Sequence, residues 1–442
     1  MRARLFGVLA GVFGCASSKG VDTGTFSSTD AVDPCDPTID ADDDGSLAVD
    51  ADCAPLDCDD ADPTVYPGAV DLQADGVDSD CDGDDDCGYG PALEGDLEIR
   101  AAADMAAFCG SFRSMTGSLD IADLSDATDL GGLSCLCGVG EDIRVEGTPT
   151  LASLAGLEGI HGKLPGSVVI NEARALTDLT ALRGLTDLGD GLLLTGLADT
   201  CTLDGLDGIR TVNGLVYVES WPLRTLSGLG GLESAGQLHV GGNLDLTDLA
   251  GLGALVSVEH FVLSSTGVTT VTGLASLSSA AEAFWIVDEP NLVSLVELPV
   301  LSSAPRIFVI ARSPSFSSLE GLEWIDSVEK LALEELPLLT SLRGLDGLVE
   351  VTHGSTQALT LDSLAIASLD GLESLRRVGD GIYLTNNPDL VDLSALYGVE
   401  SIAGALYISG NASLTSDEAW ALVDAIGEEN ITGGVYIEGN YD

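Results

Sequence analysis

Positive charge is what this chain has least of. Its 442 residues include 17 Lys and Arg against 72 Asp and Glu, a formal net charge of -55. Recognition of phosphate rests on Lys and Arg displacing counterions, so this balance excludes nucleic acid as a partner. Anionic lipid head groups would repel the chain, and cations should be drawn to it. Aromatic residues are also scarce, at 5% against a hydrophobic content of 45%, so the apolar mass is Leu, Val, Ile and Ala. The four His, at 161, 239, 260 and 353, have no metal-ligand spacing and read as surface or turn residues. No GxSxG, HExxH or phosphate-cradling glycine loop is present. Carboxylates are too abundant for any pair to stand out as an acid and base. An enzyme is therefore not expected; a polysaccharide-active β-solenoid and a purely structural surface rod or adhesin stand as the alternatives.

Long apolar runs are absent too. The first, Leu5 to Gly14, follows Arg2 and Arg4 and is too short to cross a bilayer as a helix. A basic start, a short apolar stretch and small residues at its end form an export signal. Val12-Phe13-Gly14-Cys15 resembles the bacterial lipobox, which implies that Cys15 carries lipid and becomes the mature N-terminus. Phe13 stands where that family has a small residue, and an ordinary signal peptide cut nearby is the alternative. The expected location is the bacterial outer membrane or cell surface, with the membrane reached through the anchor only. Residues 16–32, rich in Ser, Thr and Gly, read as a flexible tether. Nine cysteines then remain, an odd number, so one thiol should be free or paired with another chain.

What is abundant is aspartate at close spacing, in a segment over residues 33–87. Asp40-Ala41-Asp42-Asp43-Asp44-Gly45 and Asp78-Ser79-Asp80-Cys81-Asp82-Gly83 are both D-x-D-x-D-G. Alternate carboxylates converge on one hard cation when the backbone curls around it, and the Gly permits the turn. Position twelve of each loop is Ala51 and Tyr89, not Glu, and no helical pattern flanks them, so these are not EF-hands. The blocks Asp57-Cys58-Asp59-Asp60-Ala61-Asp62, Tyr66-Pro67-Gly68-Ala69 and Asp78-Ser79-Asp80-Cys81-Asp82-Gly83 together resemble the MopE-type metal-binding motif of secreted bacterial proteins. The resemblance implies a metal site on Asp57, Asp59, Asp60, Asp62, Asp78, Asp80 and Asp82. Ala74 replaces a Cys usual in that family, so the simplest implied disulfide is Cys58 with Cys81. Cys53 or Cys87 could substitute, and Cys35 is a further disulfide candidate. The family takes its name from copper, which prefers imidazole or sulfur. Residues 16–104 hold no His and no Met, so the expected ion is calcium, with an ion-free, disulfide-stapled acidic spacer as the next reading and copper or another transition metal behind it.

From residue 95 to 442 an internal repeat governs the chain. The unit is L-x-x-L-x-G-L-x-x-L, a turn, and a strand L-x-[IVL], as in Leu223/Leu226/Gly228/Leu229 followed by Leu238/Val240. Strands begin roughly 22 to 29 residues apart, within the leucine-rich repeat range. Leucines three apart do not fit a long helix of period 3.6; they fit a coil that buries one residue at each corner. A polar residue often stands three before the first Leu (Thr148, Ser220, Asn243, Ser313, Asn387, Asn411), where it can satisfy loop backbone groups. Ala101–Cys109 reads as a short capping helix, and Thr415-Ser416-Asp417-Glu418 as a capping box opening a second, with Trp420, Val423 and Ile426 available to cover the last coil. The start resembles the receptor L-domain family, which implies a right-handed β-solenoid and partner binding. The expected fold is thus a β-rich solenoid, a parallel β-helix or leucine-rich repeat with short capping helices, preceded by a small disulfide-rich acidic segment.

If the ends of L-x-[IVL] point inward, the middle residue faces out. That column reads Tyr217, His239, Val262, Trp285, Phe308, Ala332, Thr360, Tyr383, Tyr407 and Tyr436. Tyr217, Trp285, Phe308, Tyr383, Tyr407 and Tyr436 would form a line of aromatics for a protein or glycan partner.

Overall fold

The computed structural model describes residues 65, 91–219, 222–352 and 358–441. Within it fifteen parallel strands lie one above another. They are β1 (Leu97–Ile99), β2 (Leu119–Ala122), β3 (Ile143–Glu146), β4 (Val168–Asn171), β5 (Leu192–Thr195), β6 (Thr211–Glu219), β7 (Ser234–Gly241) and β8 (Ser257–Ser264). The stack continues through β9 (Ser279–Val287), β10 (Ile307–Ala311), β11 (Lys330–Glu334), β12 (Leu359–Asp362), β13 (Ile382–Thr385), β14 (Leu406–Ser409) and β15 (Val435–Glu438). The other two strands of this 17-stranded sheet, Gly162–Leu164 and Leu185–Leu188, belong to a second face of the coil, which runs on into the first residues of β6. Farther along, Ser327–Val328, Glu350–Val351, Arg377–Val378 and Ser401–Ile402 form a separate four-stranded sheet.

Each coil buries its leucines toward one continuous core. In the coil holding β7, Leu238, Val240, Leu246, Leu249, Leu252 and Leu255 are all fully buried. At about 1.5–3 kcal/mol for each buried aliphatic side chain, a coil can offset the entropy of ordering itself only when its neighbours cover it. The three-residue spacing places successive leucines at successive corners, several of them on single 3-10 turns such as Ser227–Leu229 and Ala250–Leu252. The Gly of L-x-G-L has a steric role there. A Cβ on Gly251 would stand 1.9 Å from the Leu226 carbonyl oxygen of the preceding coil, so only Gly lets the coils approach.

A corner follows β2 to β5 and β7 to β15, and its first residue is left-handed even where it is not Gly: Asp123, Glu172, Ser265, Asp288, Arg312, Glu335, Ser363 and Asn386 all have φ between 51° and 58°. Such a residue costs about 1–2 kcal/mol. What holds it is the next coil, since the Asp288 amide donates to the Ala311 carbonyl, and Arg312 to Glu334, continuing the ladder past the sheet. The following residue points inward. Thr148, Asn243, Ser313, Asn387 and Asn411 are fully buried there, as their spacing predicts, and so are Thr266 and Glu289, which the pattern did not single out. Ser220 lies outside the described residues. The Asn411 side chain donates to the Leu384 carbonyl (2.9 Å) and accepts from the Asn387 amide (3.0 Å), tying coil to coil.

Helix α1 (Ala102–Cys109) follows β1, and α2 (Ser416–Ile426) precedes β15. The Thr415 hydroxyl accepts from the Glu418 amide (3.2 Å), the first half of the expected capping box. The Glu418 carboxylate turns away from the second half and accepts from the Tyr397 hydroxyl (3.2 Å) of the coil beneath. Ala419, Leu422, Val423 and Ile426 are buried; Trp420, expected to help cover the coil, is 48% exposed because the helical period carries it to the outer side.

Among the described residues, Glu289 is the one carboxylate in the buried corner column. Its Oε2 accepts from the Thr266 hydroxyl (2.7 Å) and its Oε1 from the Thr266 amide (3.1 Å). Burial pushes its carboxyl up to about 7, against the opposing pull of those two bonds. The folded chain therefore holds this proton more tightly than the unfolded chain. Its contribution to stability is complete below the unfolded value near 4.5 and is lost as pH rises through about 7. At about 1.4 kcal/mol for each unit, the loss amounts to roughly 3 kcal/mol. Glu289→Gln, neutral throughout, should gain about that much over the native chain at pH 8 and little at pH 4.5; denaturant melts at the two pH values measure the difference.

Candidate partner-binding face

The outward residues of the strands form one column because the strands pair in register. Val169, Leu193 and Tyr217 stand in line, then His239, Val262, Trp285 and Val309. Phe308 is not among them. It pairs with Phe284, lies fully buried, and stacks on that ring at 5.6 Å, while Phe284 stacks on Phe261 at 4.9 Å. The expectation that Phe308 faces outward is corrected here. Ile307-Phe308-Val309-Ile310-Ala311 is apolar at every position, so alternation could not set its phase. Continuing the interior phenylalanine column decides it, and Val309 takes the outward place.

Ala332 and Thr360 occupy outward positions yet are 0% and 7% exposed, which divides the face into two stretches. The central one is mostly apolar and runs from Leu193 to Val309, with Trp285 39% exposed one strand before its end and the half-buried Leu215 and Ile307 beside it. Tyr217 meets His239 edge to face at 4.8 Å, and the His239 Nε2 lies 3.1 Å from the Ser264 hydroxyl. Burial holds the His239 imidazole below its ordinary pKa, Glu219 pulling the other way. His239 and His260 thus lie in strands rather than turns.

The second stretch is Tyr383, Tyr407 and Tyr436. Their rings are stacked at 4.8 Å and 4.4 Å with interplanar angles of 12° and 6°. Ring faces so arranged cover one another, and the array offers a partner its edges and hydroxyls. Burial, then the flanking Tyr436 and Tyr383, raise the Tyr407 phenol. Of the six aromatics expected on this face, the structure brings Tyr217 and Trp285 to one stretch and Tyr383, Tyr407 and Tyr436 to the other.

The expected metal ligands Asp40, Asp42, Asp44, Asp57, Asp59, Asp60, Asp62, Asp78, Asp80 and Asp82 lie outside the described residues, as do Cys15, Cys35, Cys53, Cys58, Cys81 and His353. Among the described residues no group of three His, Cys, Asp or Glu side chains could hold a metal ion, and no helix is long and apolar enough to cross a membrane. Cys109 and Cys135 form a disulfide, with Cα atoms 5.7 Å apart. Their 26-residue separation is close to one repeat, the signal that could have paired them in advance. Cys137 is also disulfide-bonded. Cys201 is a free thiol, buried and pushed up to about 12, first by burial and then by Asp178 and Asp204. Among the described residues it is the free cysteine, and a buried thiol so raised is unreactive.

Residues 57–86 match the Cu-binding MopE family, described as "Putative metal-binding motif". No curated protein matches the sequence. Among solved structures, an internalin from Listeria monocytogenes is similar at 16% identity, over 68% of this chain and 81% of its own, with a TM-score of 0.39.

The inside and outside of the strand face can be separated by two truncations. Phe308→Ala should cost about 3–5 kcal/mol, as a cavity in the phenylalanine column, and Trp285→Ala about 1 kcal/mol or less. Equal losses in urea melts would contradict the register.

Proposed function

We propose that this chain is an exported, lipid-anchored envelope protein that holds another protein against the outer face of its solenoid, with a calcium-binding module between anchor and solenoid. The observation that carries partner binding is the apolar stretch from Leu193 through Trp285 to Val309, lying in register on a molecule of net charge -55. A surface selected only for solubility has no use for an apolar strip among so many carboxylates. A protein partner fits better than a glycan, because the tyrosine rings that a sugar would stack on are closed against each other. The sheet supplies a rigid platform for a partner, and binding without chemistry is the favoured role. Right-handed winding and the capping role of α1 and α2 belong to the same proposal, on the resemblance to receptor L domains.

Export finds support in the Cys109–Cys135 disulfide, which persists in oxidising compartments. Anchoring rests on Cys15 and the apolar run before it. For the ion, the donor set is the test. Between residues 57 and 86 the side-chain donors are carboxylates, hydroxyls, one amide and Cys58 and Cys81, with neither His nor Met. Oxygen donors in that proportion suit calcium, and copper would have to rely on the two sulfurs. Asp78, Asp80 and Asp82 would hold the ion together with Asp57, Asp59, Asp60 and Asp62.

Two measurements test these roles separately. Calorimetry of the exported chain should show calcium binding that Asp80→Asn and Asp82→Asn weaken at least tenfold; copper binding with no calcium response would reverse the assignment. Pull-down from the envelope fraction, quantified by mass spectrometry, should recover a protein that Trp285→Ala and Val262→Asp no longer retain. Retention by both variants would remove the central stretch as the contact.

A further inference from the structure

A groove runs beside the strand face, along the corner of left-handed residues. Its floor is built by Gly242, Ser265, Asp288, Arg312, Glu335 and Ser363, one from each of six successive coils. Its wall is apolar: Leu244, 66% exposed, is followed by Pro290, Pro314 and Pro337. Two troughs of about 470 and 480 Å³ meet at Arg312 and Pro314 and make one channel parallel to the solenoid axis. At about 4.8 Å for each coil it spans roughly 24 Å, the length of about seven residues of extended chain.

The charge of this groove selects its occupant. Arg312 is its single cation and is closed onto Asp288 by two bonds, of 2.7 and 3.0 Å. Glu335 stands exposed beside it, flanked by Glu334 and by Asp362, so the groove remains negative. Asp362 accepts from Ser363 (2.9 Å) and Asn386 (2.9 Å), which fixes its carboxylate at the rim. A second copy of this chain is a poor occupant. It carries the same net charge, and Arg144, Arg210, Arg306 and Arg377 are already paired with carboxylates of neighbouring coils. A row of prolines and a leucine offers a flat apolar wall without competing donors, suited to aliphatic or proline side chains of an extended peptide.

We infer that this groove receives an extended basic segment of a partner protein, with Lys or Arg side chains on Glu335 and Asp362 and apolar residues along Leu244, Pro290, Pro314 and Pro337. This groove is separate from the Trp285 stretch, and the two can fail independently. The probe is a fluorescein-labelled ten-residue peptide of alternating Lys and Pro, read by anisotropy against the full chain, with an alternating Glu and Pro peptide as its counterpart. The basic peptide should bind and the acidic one should not. Glu335→Lys should weaken binding at least tenfold, and Leu244→Ser several-fold at unchanged charge, while Glu320→Lys on another side of the coil should change it less than twofold. Circular dichroism melts confirm that each variant is folded. Equal weakening by Glu335→Lys and Glu320→Lys, or no effect of Leu244→Ser, would mean diffuse attraction to an acidic surface and would overturn the inference. So would the absence of binding.

Discussion

Each coil must rest on the one before it at the spacing of a parallel β-ladder, about 4.8 Å, and nearly everything else in the molecule follows from that contact. It admits only Gly at Gly251, whose Cβ would strike the Leu226 carbonyl. It holds eight non-glycine residues in a left-handed corner by giving their amides a carbonyl in the next coil. It also turns any position in the repeat into a column, so that a side chain's neighbours are its own equivalents one coil away. Phenylalanines then stack on phenylalanines inside, tyrosines on tyrosines outside, and asparagines on the backbone at the corner.

That column rule has a consequence for recognition. Aromatic residues repeated at one position do not offer their ring faces, because the coil spacing is close to the stacking distance of aromatic rings. Tyr383, Tyr407 and Tyr436 are a ribbed edge, whereas Trp285, set between Val262 and Val309, stands free of aromatic neighbours on its rungs. The apolar central stretch and the acidic proline-walled groove beside it are adjacent but chemically different surfaces.

The buried corner column shows how little a repeat needs to be uniform. Asn at Asn387 and Asn411 satisfies both a carbonyl and an amide. Glu289 meets the same amide from the same place but brings a carboxyl that burial keeps protonated until near neutrality. A pattern of Asn and Ser is legible in sequence as a turn device; Glu289 is not, since a lone Glu before Pro290 looks like any surface acid until the coil closes over it.

The amino-acid sequence by itself determined the repeat, the strand positions, the polar corner column and the acidic segment, because spacing and composition are local and a leucine every third residue admits few backbones. It also placed five of the six outward aromatics. Only the tertiary structure decided the phase of Ile307–Ala311, where apolar residues at every position left Phe308 free to go either way until Phe284 lay beneath it. The same holds for the pairing of Cys109 with Cys135 and the groove along Leu244, Pro290, Pro314 and Pro337. Each joins residues about one coil apart or more, and such neighbours exist only once the coils are stacked.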